Sequence, residues 1–292
     1  MHRKKIDAVN LLIHIFFAAL CLAMLYPFWC VISASLVSTE EIYSFGFKLW
    51  PDAPVVDSYK ELFKRVDAIL EAYGTTFLVA ILGTFVGVLT SATYAYALSR
   101  KTFPMRRFFA FVATFTMYFS GGMAASYIIN VNVLDLKNSL WVLVLPGAFN
   151  VMQMVVIRSF FDSLPYSLIE SAKIDGASEY VIFFRIMLPL AKPALATVCL
   201  MLFVGYWNSY YEAMMYMDSG HYVTIQLLLH RMMQKVEFVK EFAASGLSGT
   251  IEAPSEALRM AMCVLTVLPM VCVFPFFQKY FVKGMAIGSV KG

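Results

Sequence analysis

Residues 72–99 read AYGTTFLVAILGTFVGVLTSATYAYALS, without one Asp, Glu, Lys or Arg. Coiled as an α-helix rising ~1.5 Å per residue, this stretch is longer than the ~30 Å hydrocarbon layer of a bilayer is thick. Working outward from it, five more windows are free of those four residue types: Ala8–Thr39, Phe108–Leu134, Asn138–Ile157, Pro193–Tyr211 and Met260–Gln278. Each is about long enough to cross. The pattern predicts an all-α membrane protein with six transmembrane helices, and the composition agrees. The chain of 292 residues is 60% hydrophobic and 14% charged, with a mean hydropathy of +0.71, against ~25% charged for a soluble domain. The net charge of +4 is small and its basic residues are scattered, which argues against a nucleic-acid partner.

Lys and Arg then serve as topology markers. One side of the predicted bundle collects fourteen of them, among them Arg3, Lys4, Lys5, Arg100, Lys101, Arg106, Arg107, Arg158, Lys173 and Arg185. The other side has nine, spread over longer loops that also carry most of the acids. Positive charge is retained on the cytoplasmic side, so both termini are expected there. The first window is longer than the ~7–15 residue core of a secretory signal, and Ser33-Ala34-Ser35 is a weak cleavage site, so it is expected to remain as a span. The five cysteines all lie inside the windows without CxxC pairing, which supports neither a disulfide frame nor a metal site.

The windows also lack the intramembrane acids and lysines through which ion-coupled carriers bind a proton or sodium ion. His14, Glu212 and Arg259 lie near window ends, where interfacial anchoring suffices. Nothing resembles HExxH, GxSxG or a Gly-rich phosphate loop. Uphill transport by this chain requires energy from another subunit.

The segment between the fourth and fifth windows is the most informative. In it, Ser163 or Asp162 can cap a helix of about three turns with Pro165 in its first turn, and Gly176 can end it in the left-handed conformation. Ser178 and Glu179 start a second short helix through Phe183, Phe184 and Ile186, which Leu188-Pro189 breaks. One face of this hairpin is small (Ser171, Ala172) and apolar (Leu168, Ile169). Such a face suits either a groove on a partner or a layer of lipid headgroups.

The string Glu170-Ser171-Ala172-Lys173-Ile174-Asp175-Gly176-Ala177, followed by Ile186-Met187-Leu188-Pro189, resembles the EAA motif of type I ATP-binding cassette importer permeases. That pattern is EAA, three residues, Gly, nine residues, then I-x-L-P; the departure is Ser171 in place of Ala. Phe119-Ser120-Gly121-Gly122, Asn138-Ser139, Leu145-Pro146-Gly147, Gly205-Tyr206-Trp207-Asn208 and the tail Phe276–Gly284 extend the resemblance to the carbohydrate, MalG-like branch, in its LplC- and YtcP-like subgroup. The resemblance implies a MetI-like permease domain over residues 1–292 in a bacterial cytoplasmic membrane. It implies a coupling hairpin, 163–189, that docks into an ATPase subunit. Glu170 would make the polar contact, Ser171 and Ala172 would permit close approach, Asp175 and Gly176 would form the turn, and Leu188-Pro189 would pass motion to the fifth helix. It implies as partners a second, MalF-like permease chain, two ATP-binding subunits that hold ATP and Mg, and an extracytoplasmic solute-binding protein facing residues 218–254. The chain itself would hold no cofactor and no metal, and would be no enzyme.

Sugars present hydroxyl rims and C–H faces, so their path should be polar and aromatic. Tyr206, Trp207, Asn208 and Tyr211 offer this on the fifth helix, where at helical spacing Trp207 and Tyr211 share a face, as do Asn208 and Glu212. An interfacial aromatic belt accounts for the same run. Asn150 and Gln153 on the fourth helix suit sugar hydroxyls or helix–helix hydrogen bonds, and Tyr118 on the third is a further candidate. Glu40–Tyr59 is expected to be a loop, followed by an amphipathic stretch near Ser58–Leu70. Two other classes stay open: an ion-coupled secondary carrier, and a membrane assembly subunit with no solute path.

Overall fold

The computed structural model describes residues 8–38, 41–42, 46, 48–51, 53–218, 222–244 and 255–289. Arg3, Lys4, Lys5, His221, Lys291 and the 245–254 part of the outer segment lie outside the described residues. So do the side chains of the tail motif from Phe276 onward.

Among the described residues every regular element is helical. Three of the six charge-free windows are continuous helices: α1 (Ala8–Ser35), α3 (Val66–Ser99) and α13 (Glu256–Ser289), with spanning segments of mean hydropathy 2.3, 1.8 and 2.1. Between the first two lies α2 (Asp57–Phe63), at the start of the predicted amphipathic stretch. Of the other three windows, two are bent within and the fifth, Pro193–Tyr211, follows directly on a bend. α4 (Arg106–Tyr118) and α5 (Gly122–Ile128, continued by a π-helical turn to Val133) meet at 116°. α6 (Leu140–Val144, with a 3-10 turn to Gly147) and α7 (Val151–Ser163) meet at 53°. α8 is Ser167–Ile174; after it α9 (Glu179–Leu190) and α10 (Lys192–Asn208) meet at 80°. The chain therefore has three uninterrupted candidate spans, or six if each bent pair counts as one.

Local chemistry explains each break. Phe119 is extended and Gly122 has φ +78°, a left-handed value that stops a helix at little cost only for glycine. After Gly147, Asn150 is extended and its side-chain oxygen accepts from the Met152 and Gln153 amides, starting α7 afresh. At Ala191 the backbone leaves the helical region just before Pro193, which lacks an amide hydrogen and sits harmlessly in the first turn of α10. The last break lies later than expected: Leu188 and Pro189 remain helical within α9, and the bend falls at Ala191.

Two shorter helices complete the chain. α11 is Tyr211–Tyr216, and α12 is Ile225–Ala244. The latter occupies much of a segment expected as a polar outer loop; it is capped by Thr224, whose hydroxyl accepts from the Leu227 amide at 3.3 Å.

The chain divides into two compact units. In the first (Met1–Ala68 and Leu229–Pro269), Trp29 Nε1 donates to the Leu49 carbonyl at 2.8 Å, Trp29 stacks on Trp50, and Val37, Ile42 and Ala257 form a small core. The second (Ile69–Leu228 and Met270–Gly292) holds the main core, including Val79, Ala80, Ala95, Val142, Val144, Met154, Ile157, Val198 and Leu202. Within it, α3 and α10 approach closely at Gly83 and Gly87. A methyl group on Gly83 would fall 2.5 Å from the Tyr206 ring, and one on Gly87 would fall 2.9 Å from Leu202. Small residues four apart let two backbones meet in lipid, where dispersion between packed surfaces substitutes for the missing hydrophobic drive.

Candidate functional site

Two features of the second unit carry functional chemistry. The first is the hairpin of α8 and the start of α9. Its turn is built as the spacing predicts: Gly176 has φ +76°, its amide donates to the Lys173 carbonyl at 3.0 Å, and the Ala177 amide reaches the Ala172 carbonyl at 2.9 Å. Ser178 is extended, and its hydroxyl accepts from the Val181 amide at 3.4 Å.

Its first helix differs from expectation. It has eight residues, close to two turns, because α7 runs on through Ser163 and takes the residues expected to cap it. Leu164-Pro165 is the linker between the two helices. Pro165 excludes helical geometry at Leu164, which is extended with ψ 142°.

The faces of α8 also need correction. Ala172 is only 8% exposed and Ile169 5%, and both belong to the chain's own core. Ala172 is small so that α8 can approach this bundle, and it is not on the outward surface. The outward surface carries Leu168, Glu170, Ser171, Lys173, Asp175 and Ile174, the last 85% exposed.

The root of the hairpin is clamped to α3. Tyr96 donates its hydroxyl to the Glu179 carboxylate, and Lys173 pairs with the same carboxylate at 2.8 Å, closing the hairpin on itself. Phe183 packs on the Tyr96 ring, and the Arg100 guanidinium lies 4.2 Å over that ring. Arg100 is 6% exposed, and its three guanidinium nitrogens have no hydrogen-bond partner among the described residues. Tyr96→Phe keeps the stacking and removes one charge-assisted hydrogen bond, worth ~1.5–3 kcal/mol. If the hairpin is the coupling element that the EAA resemblance implies, the expected result is a loss of roughly tenfold in the coupling of ATP hydrolysis to transport at unchanged membrane abundance, read as the ratio of stimulated to basal ATPase rate.

The second feature is a cavity of about 420 Å³ lined by residues of α6, α7, α10 and α11 and by the 3-10 turn and linker segments beside them, among them Asn150, Gln153, Tyr206, Asn208, Ser209, Tyr210, Tyr211 and Glu212. The fold thus brings together five of the sequence-predicted pathway residues: Asn150, Gln153, Tyr206, Asn208 and Tyr211. Two others lie elsewhere. Trp207 is 1% exposed and packs on Tyr73, Phe77 and Phe203, away from the cavity lining. Tyr118 is 79% exposed at the end of α4.

The expected shared face of Trp207 and Tyr211 does not exist, because α10 stops at Asn208 and Ser209 is extended. That break re-aims Tyr210, Tyr211 and Glu212 toward the cavity. It is held by the Ser209 hydroxyl, which donates to the Glu212 carboxylate.

The polar groups of the wall are unequally committed. The Tyr206 hydroxyl donates to the Val144 carbonyl at 2.8 Å, so Tyr206 offers the cavity a ring edge rather than a hydroxyl. Asn208 Oδ1 accepts from Gln226 Nε2 at 3.1 Å. Gln153 is 9% exposed, and its Oε1 has no hydrogen-bond partner among the described residues. A methyl group at Gly205 would meet nothing within 4 Å, so the wall is open there. The residues missed from sequence were Gly83 and Gly147, which seat Tyr206 from both sides, and Gly87, which admits Leu202. The Gly83-x-x-x-Gly87 spacing was the available signal.

A charge-poor helical bundle with broken spans, an open polar cavity between them and a clamped surface hairpin defines a polytopic membrane permease. Residues 81–287 match the family described as binding-protein-dependent transport system inner membrane component, and the chain belongs to that family. It is the membrane-embedded permease of such an ATP-binding cassette system and not its catalytic part. The chain is similar to the polygalacturonan/rhamnogalacturonan transport system permease protein YtcP of Bacillus subtilis (strain 168), with 37% identity over 97% of this chain and 98% of that one. It is also similar to protein LplC of the same organism, with 34% identity over 100% and 98%. A chain in the crystal structure of a bacterial ABC transporter involved in the import of the acidic polysaccharide alginate superposes with a TM-score of 0.80 at 26% identity, over 96% of this chain and 99% of that one. The all-helical permease fold expected from sequence is thereby shown.

Proposed function

We propose that this chain forms one half of the transmembrane path of an importer for oligosaccharides derived from polysaccharides, with both termini in the cytoplasm. The similarity to a polygalacturonan/rhamnogalacturonan transport system permease and to a transporter involved in the import of the acidic polysaccharide alginate supports the substrate class. Residues 163–189 dock into a partner ATP-binding subunit through the outward side chains Glu170, Ser171 and Asp175. The Gly176 turn sets their presentation, and Leu188-Pro189, inside α9, passes the displacement to the bend before α10. Residues 218–254 face a solute-binding protein, and a second permease chain supplies the other wall of the path. The cavity at Asn150, Gln153, Asn208 and Tyr211 is a station on that path.

The single observation that carries this reading is the hairpin. It displays an exposed, mixed polar and apolar tip while its root is locked to α3 through Tyr96, Glu179 and Lys173. A surface element built to be both exposed and rigid transmits force.

Tagged protein purified from its native membrane should retain an ATPase, and that ATPase should accelerate when loaded solute-binding protein is added. Uptake of an oligosaccharide should stop when nucleotide is depleted. Uptake that survives nucleotide depletion but collapses with the ion gradient would assign the chain to a secondary carrier, and a complex with no solute uptake at all would make it an assembly subunit.

A further inference from the structure

The lining of the cavity contains one formally charged group among the described residues, the carboxylate of Glu212. Among the described residues no Lys, Arg or His lines it. Beside it the lining presents the partly exposed rings of Tyr210 and Tyr211 and the neutral amide of Asn208. Apolar side chains of Leu143, Met201 and Leu202 line the rest of the wall, so Glu212 is the charge a ligand meets there.

Hydroxyl groups of a sugar can donate to Glu212, and C–H faces can lie on tyrosine. A uronate carboxylate can do neither, since it only accepts, and it meets a like charge.

We infer that Glu212 is a specificity-determining residue that makes this half of the path select uncharged, hydroxyl-bearing rings over uronate rings. The inference rests on the oligosaccharide reading above and sharpens it. In a cargo that alternates neutral and acidic sugars, the neutral ring takes this wall.

The test uses the purified complex of this permease with its partner permease and ATPase, without binding protein. The probes are α-1,4-linked galactotriose and trigalacturonate, which differ only at C6, CH₂OH in one and COO⁻ in the other. Competition against labelled galactotriose gives the ratio of the two affinities.

In Glu212→Gln and in Glu212→Ala the ratio should move about tenfold toward the uronate, with galactotriose still bound, because removing a like charge relieves only the acidic probe. An unchanged ratio in a variant that still binds galactotriose overturns the role of Glu212 and leaves the oligosaccharide reading intact. Failure of the wild-type complex to bind either probe overturns the oligosaccharide reading itself, and this inference with it. Glu212→Gln is also expected to keep the helix break at Ser209, since an amide oxygen still accepts from the Ser209 hydroxyl.

Discussion

Gly176→Pro leaves the permease in the membrane at near wild-type abundance and abolishes transport, by about a hundredfold or more, while basal ATPase activity of the complex persists. Three constraints converge on this one position. Its φ of +76° is closed to proline, whose ring holds φ near −65°. Its amide hydrogen, which donates to Lys173 O at 3.0 Å, disappears. Asp175 before it sits at φ −72°, ψ 3°, a conformation that a following proline ring disfavours. The cost, several kcal/mol, exceeds what the Lys173–Glu179 pair and the Tyr96 hydrogen bond can hold against, so the hairpin opens while the buried bundle beneath it stays packed.

Gly176→Ala is the graded control. A methyl group there meets nothing within 4 Å, leaving only the left-handed backbone penalty of ~1–2 kcal/mol and a partial loss. Glu170→Lys reaches the same uncoupled phenotype by another route, reversing a charge on an exposed side chain without touching the fold. The measurement is uptake beside ATPase stimulation by loaded binding protein. Undiminished uptake in either Gly176→Pro or Glu170→Lys would remove the hairpin from the coupling path.

Gly83→Val is expected to be the most destructive single change in the spanning region, with little folded protein recovered. Its Cβ would lie 2.5 Å from the Tyr206 ring carbons, and the ring cannot retreat. A methyl group at Gly147 on the far side would already fall 3.0 Å from its hydroxyl, and that hydroxyl is fixed to the Val144 carbonyl. Overpacking of a pinned core costs ~1–3 kcal/mol or more, and the bulk of valine forces α3 and α10 apart along their length.

The companion experiment is Gly83→Ala with and without Tyr206→Ala. Removing the ring should restore most of the thermal stability that Gly83→Ala loses, as seen in a melting curve of the detergent-solubilised protein. Equal loss in both backgrounds would show that Gly83 matters for some other contact.

How far the fold was legible in sequence depended on what kind of physics each element uses. The absence of charge over Ala72–Ser99 is a bulk solvation signal, and it located α3 to within a few residues at its C-terminal end. Capping is equally local, which is why Gly176 and Ser178 were readable. The breaks at Phe119–Gly122 and Gly147–Asn150 sit inside apolar windows where hydropathy does not change, so a count of charges passes straight over them; the bend at Ala191 lies just outside its window, two residues beyond the Leu188-Pro189 signal.

Tertiary contacts were the least legible part. Ala172 reads as a small outward residue until the core is assembled around it, and Trp207 reads as a path residue until Tyr73 and Phe77 close around it. Five of the seven residues expected on the path came to one cavity because polar amides and tyrosines at this depth need somewhere to face. The helix break that brought Tyr211 and Glu212 to them depends on a hydrogen bond between Ser209 and Glu212 that no periodicity announces.

The 80° bend at Ala191 turns α9 into a crank on the end of α10. Twelve helical residues from Glu179 to Leu190 give an arm of ~18 Å, so a swing of roughly 10° about the bend moves its tip by about 3 Å. The same swing applied at the bend itself displaces α10 by far less, and as a rotation. On the proposed coupling role, a large, low-force stroke at the membrane surface would be geared down to a small, stiff turn of the helix whose far end lines the cavity wall.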